Sequence, residues 1–300
     1  MLSFTPEEKP NAVLQGFLQA AIGPRPICFA STVDKDGNVN LSPFSFFNLF
    51  GINPTTLIFS PARRVRDNTI KHTLENVKEV AEVVINVVTY NMVQQASLSS
   101  TEYPKGVDEF VKAGFTKVKS DLISPPRVKE SPVQLECKVR EIVETGNQGG
   151  SGNLVICEIL KIHISEEILN ENGAIDQHKI DLVGRLGANW YVRASGDALF
   201  EVAKPLTTLG IGVDALPDSI RNSNILTGNN LGRLGNVEYL PTEADLQEFL
   251  SSGRFQELSK EFNLSDGELI IQAHNIAKQL LDAERVDDAW MILLLNEKQK

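Results

Sequence analysis

Apolar and polar residues follow two different rhythms along this chain. Between Pro24 and Ile164 the apolar positions fall in short runs rich in β-branched and aromatic residues, the mark of strands. The run PRPICFASTVDKDGNVNLSPFS (24–45) predicts a strand, a turn from Asp34 to Gly37 and a returning strand. LIFS (57–60) and EVVINVV (82–88) predict two more, and VQLECKVREIV (133–143) with NLVICEILKIHI (153–164) a long pair joined by ETGNQGGSG. Only two short helices, NTIKHTLENVKE (68–79) and MVQQASLSS (92–100), are predicted between these strands, too few for a doubly wound α/β fold. The pattern predicts a mainly β fold with α (α+β), an antiparallel β-barrel with helices at its rim, over residues 1–195.

The rhythm changes after about residue 195. Residues 196–240 are rich in Gly, Asn and Pro with isolated apolar anchors, which suits an extended arm lying on another surface or a mobile linker. From 241 to 300 the period is helical. Thr242 with Asp245, and Ser265 with Glu268, have capping-box spacing, and Leu269, Ile270, Ala273, Ile276, Ala277, Leu280 and Leu281 form one apolar stripe. That stripe must be buried, on the protein's own body or on a partner.

Composition narrows the function classes. The chain is 42 % hydrophobic and 23 % charged over 300 residues, enough for a sizeable core. A net charge of −10 argues against nucleic acid as a partner, because phosphate tracking needs clustered cations. No run has the apolar length of a signal peptide or membrane span, so a cytoplasmic protein without a membrane partner is expected. Cys28, Cys137 and Cys157 each sit inside a strand-like run, where a thiol acts as a small hydrophobe, and the four histidines show no ligand spacing. No metal site is expected.

Two stretches carry candidate chemistry. SPFSFFN (42–48) interleaves three phenylalanines with hydrogen-bonding residues, a composition that suits a core strand or the wall of a flat, partly polar ligand. In SPARRVRDNT (60–69), Arg63, Arg64 and Arg66 precede Asp67, Asn68 and Thr69, which are able to cap the following helix. Guanidiniums beside free helix N–H groups make a phosphate cradle; the alternative is a solvated loop paired with surface carboxylates. GNQGGSG (146–152) joins two strands and lacks the Lys-Ser/Thr of a phosphate loop, so it is read as a hairpin turn. No hydrolase motif is present in the sequence.

The runs PRPICFASTVDKDGNVNLSPFSFFN, LIFSPARRV with RDNT, EVVINVV, TEYPKGVDEF, PPRVKESPVQLEC and GRLG, in that order from about Gly23 to about Tyr191, resemble the flavin reductase-like, FMN-binding split-barrel family. That family includes the reductase components of two-component flavin monooxygenases. The resemblance implies a split antiparallel barrel that dimerises, with FMN near the subunit interface, NADH or NADPH as hydride donor, and a monooxygenase as a possible partner. It implies that Ser45, Phe46, Phe47 and Asn48 line the flavin while Phe44 is core, and that Ser60, Asn86 and Arg185 lie near the cofactor. The family's usual Lys-Asp-Thr at a helix start is matched here to Arg66-Asp67-Asn68-Thr69, which leaves open which of Arg63, Arg64 and Arg66 reaches the phosphate. The implied function is an FMN-dependent oxidoreductase, an NAD(P)H:flavin reductase. The alternative is a flavin-binding module without turnover, its tail recruiting a protein partner. No catalytic side chain is assigned, because hydride passes between stacked rings.

Overall fold

The computed structural model describes residues 1–202 and 204–298, which divide into two compact units, Met1–Phe200 and Glu201–Lys300. In the first, helix α1 (Asn11–Ala21) precedes β1 (Arg25–Pro26), β2 (Cys28–Val33), β3 (Val39–Phe44), β4 (Phe47–Ile52) and β5 (Thr55–Phe59). Helix α2 (His72–Glu79), β6 (Glu82–Val87), α3 (Val93–Ser99) and α4 (Glu109–Ala113) follow, then β7 (Lys117–Val118), β8 (Arg127–Val128), β9 (Val133–Glu144) and β10 (Asn153–Ile164). The unit closes with α5 (Gln177–Ile180), β11 (Val183–Arg185) and β12 (Tyr191–Arg193).

The expected hairpins form. In β2 and β3, Cys28 faces Phe44 and Val33 faces Val39, and the Asp34 carboxylate holds the turn by accepting from the N–H groups of Asp36 (3.0 Å) and Asn38 (2.8 Å). Gly37 takes φ +84°, the left-handed conformation such a turn requires. Seven strands make one sheet in the order β3-β2-β6-β9-β10-β5-β4, every pair antiparallel.

β2 is buried along its whole length because both of its faces are covered. Cys28 and Ala30 join Phe44, Leu57, Phe59, Ile85 and Val155 on one side, whereas Phe29 packs with Leu41, Met92, Phe110 and Phe115 on the other. All three cysteines are buried and free, and burial pushes each thiol upward, Cys157 to about 12. They are inert packing groups.

Three local features differ from the sequence pattern. SPFSFFN is not one strand: β3 ends at Phe44, β4 begins at Phe47, and Ser45 and Phe46 make the bend, pinned by the Ser60 N–H donating to the Phe46 carbonyl at 2.8 Å. Residues 68–71 are not helical; Asn68 has φ +58°, and α2 starts at His72. Helix α1 was not predicted, and none of its residues is buried.

The second unit holds α6 (Asp218–Arg221), α7 (Gly228–Gly235), α8 (Glu243–Ser251), α9 (Arg254–Glu261), α10 (Asp266–Ile271), α11 (Ala273–Asp282) and α12 (Val286–Glu297). Both expected capping boxes form: Asp245 N–H donates to the Thr242 hydroxyl (3.3 Å), and Glu268 N–H to that of Ser265 (3.4 Å). Every residue of the stripe is buried, now split between α10 and α11. Within the stretch expected as an extended arm, residues 204–212 carry neither helix nor strand. Its later anchors Leu216, Ile220, Leu226 and Leu234 instead enter the same core as the stripe and Trp290. Leu216 and Leu226 lie outside helices, those of Ile220 and Leu234 are too short to show a period in sequence, and α7 begins with a third capping box, Thr227 with Asn230.

Phe59 is fully buried and its ring lies 5.3 Å from that of Phe44. Phe59→Ala is expected to cost about 3–5 kcal/mol, read as a lower urea midpoint at unchanged slope.

Candidate functional site

A cavity of about 990 Å³ opens in the first unit. Leu14 and Leu18 of α1 with Ile22, the residue after it, form one wall, Phe44, Ser45 and Phe46 a second. The loop after β5 contributes Ser60, Arg63, Arg64 and Arg66, and the turn between β9 and β10 contributes Gln148 to Ser151. Lys71, Arg25 and Glu102 complete the part that carries charge.

The arginine loop is built by local hydrogen bonds. Arg64 N–H donates to the Thr69 carbonyl and Asn68 N–H to that of Arg64, both at 2.9 Å, while the Asp67 carboxylate accepts from Thr69 N–H (3.1 Å) and hydroxyl (2.6 Å). These bonds close residues 64–69 into a turn, so Asp67, Asn68 and Thr69 do not cap a helix. Lys71 occupies the cap position of α2. The expected cradle at a helix start on Asn68 and Thr69 is therefore absent, although its cations stay in the cavity wall.

Each arginine is already held. Arg63 donates to the Asn68 side chain (2.7 Å), and Arg64 to the Thr69 hydroxyl and the Ile70 carbonyl, each at 2.8 Å. Glu102 bridges Arg64 (2.9 Å) and Arg66 (2.8 Å) and is the one acid among the described lining residues. Lys71 differs: its ammonium makes no hydrogen bond or ion pair among the described residues and sits 5.7 Å from the Phe44 ring centroid. Burial, then the neighbouring Arg64, push its pKa down against the opposing pull of Glu102. Arg25 is buried and donates to the carbonyls of Gln19 (2.5 Å) and Ile22 (2.7 Å), fixing the C-terminal end of α1 over the cavity.

Residues 22–180 match the family model for the flavin reductase-like domain, more than half of the chain. The chain belongs to the flavin reductase-like domain family. An uncharacterized protein of Aquifex aeolicus (strain VF5) is 35 % identical over 201 residues, 67 % of this chain and 100 % of that one. Protein BH2278 of Halalkalibacterium halodurans, also uncharacterized, is 35 % identical over 176 residues, covering 58 % and 83 %. Among solved structures, nitrilotriacetate monooxygenase component B from Bacillus cereus aligns with TM-score 0.62 and 27 % identity over 67 % of this chain and 98 % of its own. A candidate flavin reductase with a split barrel domain from Shewanella frigidimarina NCIMB 400 aligns with TM-score 0.58 and 27 % identity, covering 68 % and 100 %. The fold is thus that of the split-barrel flavin reductases, and α6 to α12 lie beyond the family model.

In this member of the flavin reductase-like family, Ser45, Phe46, Ser60, Arg63, Arg64 and Arg66 share the cavity wall, and Phe44, expected as core alone, lines it too. The remaining expected residues stand elsewhere. Phe47 packs on the barrel core, and exposed Asn48 accepts from Leu49 N–H at 2.8 Å. Asn86 is fully buried and accepts from Val128 N–H at 2.9 Å, a link from β6 of the large sheet to β8 of the two-stranded one. Arg185 holds the turn before β12 through the carbonyls of Ala188 and Trp190, stacked 4.5 Å from the Tyr191 ring centroid.

Sequence reasoning missed Lys71, Arg25, Glu102, the Gly149–Ser151 wall and α1. One signal existed: with α2 starting at His72, Lys71-His72-Thr73 falls at the helix start where the family's Lys-Asp-Thr belongs. A second cluster, Asp121, Glu136 and His163, brings its ligand atoms within 4.8 Å of one another, which the scattered histidines did not suggest. Its charges are already matched, because buried Glu136 accepts from Asp121 N–H (2.8 Å), Leu122 N–H (2.7 Å) and His163, while Lys161 pairs with Asp121 at 2.5 Å.

The Thr69 hydroxyl, then its N–H and Arg66, hold the Asp67 carboxyl down at about 2. A depressed acid stabilises above its unfolded value of about 3.9 and loses that contribution as pH falls through the folded value. Carboxyl-carbon NMR is expected to show Asp67 titrating near 2, and Thr69→Ala to move it upward.

Proposed function

We propose that this cavity holds FMN and that the protein is an NAD(P)H-dependent flavin oxidoreductase. The observation that carries the reading is one cavity combining aromatic walls with a cationic set in which the Lys71 ammonium makes no hydrogen bond or ion pair among the described residues. Family membership supports flavin over other flat anions.

The residues fit the group. Phe44 and Phe46 offer apolar cover for a ring, Ser45 and Ser60 lie beside them, and Lys71 with Arg64 offers two positive charges to a phosphate. Bound flavin supplies two-electron hydride chemistry, with NADH or NADPH as donor. The protein's own part is to orient the ring, neutralise the phosphate and shield the cavity with α1. The electrons taken up at this site would serve a separate acceptor, such as a monooxygenase component.

A homodimer is part of the same reading. Leu49, Phe50 and Ile52 on edge strand β4 are 52 %, 64 % and 72 % exposed, a cluster that a second copy would cover. Sedimentation of the full chain is expected to give a dimer.

Lys71→Met is expected to weaken FMN binding by about one to two orders of magnitude, since a charged hydrogen bond contributes roughly 1.5–3 kcal/mol. Riboflavin binding should hold and the melting temperature should hold or rise, because the variant removes a desolvated charge and keeps the chain length. Anaerobic NADH or NADPH should bleach the bound flavin; flavin that stays oxidised with both would replace the enzyme by a binding module.

A further inference from the structure

Glu102 is out of character with its surroundings. Cations dominate the charge of the cavity wall, yet this carboxylate lies among them, its side chain 48 % exposed, with one oxygen on Arg64 and the other on Arg66. Two explanations compete: Glu102 positions the arginines, or it occupies their donors.

The hydrogen bonds favour the second. Arg64 is fixed without Glu102, because its Nη1 donates to the Thr69 hydroxyl and the Ile70 carbonyl at 2.8 Å. Arg66 is tied to the neighbouring Asp67 at 3.0 Å. Among the described residues Glu102 hydrogen-bonds these two guanidiniums alone, and its charge also acts on Lys71. The arginines keep Glu102 charged, its pKa lowered by the Arg66 hydrogen bond and by Arg64.

We infer that Glu102 is a resident stand-in for the phosphate, an internal carboxylate that covers the Arg64 and Arg66 donors until a phosphate monoester dianion displaces it. The inference rests on the phosphate reading above and adds a specificity rule to it. A ligand must offer these guanidiniums more than one carboxylate does, so a dianion gains the site while singly charged anions and the neutral ribityl end of riboflavin do not. Lys71, which makes no hydrogen bond or ion pair among the described residues, supplies the extra positive charge that favours the exchange.

The test uses the full chain and its Glu102→Gln variant, with inorganic phosphate titrated at near-neutral pH and followed through the Arg64 and Arg66 Nε–H signals. Removing the competitor should tighten phosphate binding by roughly three- to tenfold, the scale of one exposed ion pair plus the repulsion it exerts on an incoming anion. Glu102→Ala should move the same way, and thermal melting confirms that both variants fold. Unchanged or weaker phosphate binding in the variants would assign Glu102 to positioning and overturn the inference. The flavin reading is judged separately on the parent: FMN bound no more tightly than riboflavin rejects it, whatever the Glu102 variants do to inorganic phosphate.

Discussion

The cavity depends on the docking of two loops. The arginine loop and the turn between β9 and β10 exchange backbone bonds, Arg63 N–H to the Ser151 carbonyl at 2.9 Å and Gly150 N–H to the Arg63 carbonyl at 3.0 Å. Side chains reinforce them: Asn68 donates to the Asn147 carbonyl (3.0 Å) and buried Asn153 to that of Pro61 (2.8 Å). The approach is close enough that a Cβ on Gly149 would meet the carbonyl oxygens of Arg64 and Val65 at 3.0 Å. The glycine-rich turn therefore serves contact rather than phosphate cradling. That contact seats the arginine loop on the cavity wall, while bonds within the loop and the bridging Glu102 hold its three guanidiniums side by side.

The barrel makes this docking possible by putting β5 beside β10, with Phe59 opposite Val155. The loop leaving β5 and the turn entering β10 then emerge from the same end of adjacent strands. Interior packing fixes the other wall, since Phe44 is anchored against Phe59 while its neighbour Phe46, at the bend, is 42 % exposed. Aromatic and cationic surfaces meet because one sheet delivers both.

Charge in the cavity is arranged more finely than a count of arginines implies. Arg25 serves α1, Arg63 serves its own loop, and Arg64 is divided between Thr69, Ile70 and Glu102. Lys71 alone among the wall's cations lacks a hydrogen-bonding partner among the described residues. A site that leaves one desolvated ammonium unmatched forgoes stability that a ligand restores. Hydride transfer between stacked rings demands little more of the side chains than such placement, so the absence of a catalytic motif in the sequence fits the proposed chemistry.

The sequence by itself determined those elements whose cause is local. The Asp34–Gly37 turn, the long β9–β10 hairpin, and the Thr242 and Ser265 capping boxes follow from side chains that bond backbone a few residues away. The family and its aromatic and arginine segments were also legible, because whole motifs recur in order. Tertiary structure decided what depends on distant partners. Asn68 takes a left-handed conformation in a turn docked to Asn147, so α2 begins four residues later than the helical pattern suggests and Lys71 becomes the cap. β4 is hidden in sequence because only two residues separate it from β3 and most of its side chains are exposed, giving no buried face to alternate. Asn86, polar within a strand, reads as a ligand contact in one dimension, whereas in three dimensions a buried amide needs a partner and finds Val128. Glu102, inside the TEYPKGVDEF run, reaches the site only because the segment after α3 passes the arginine loop, a proximity that no local rule encodes.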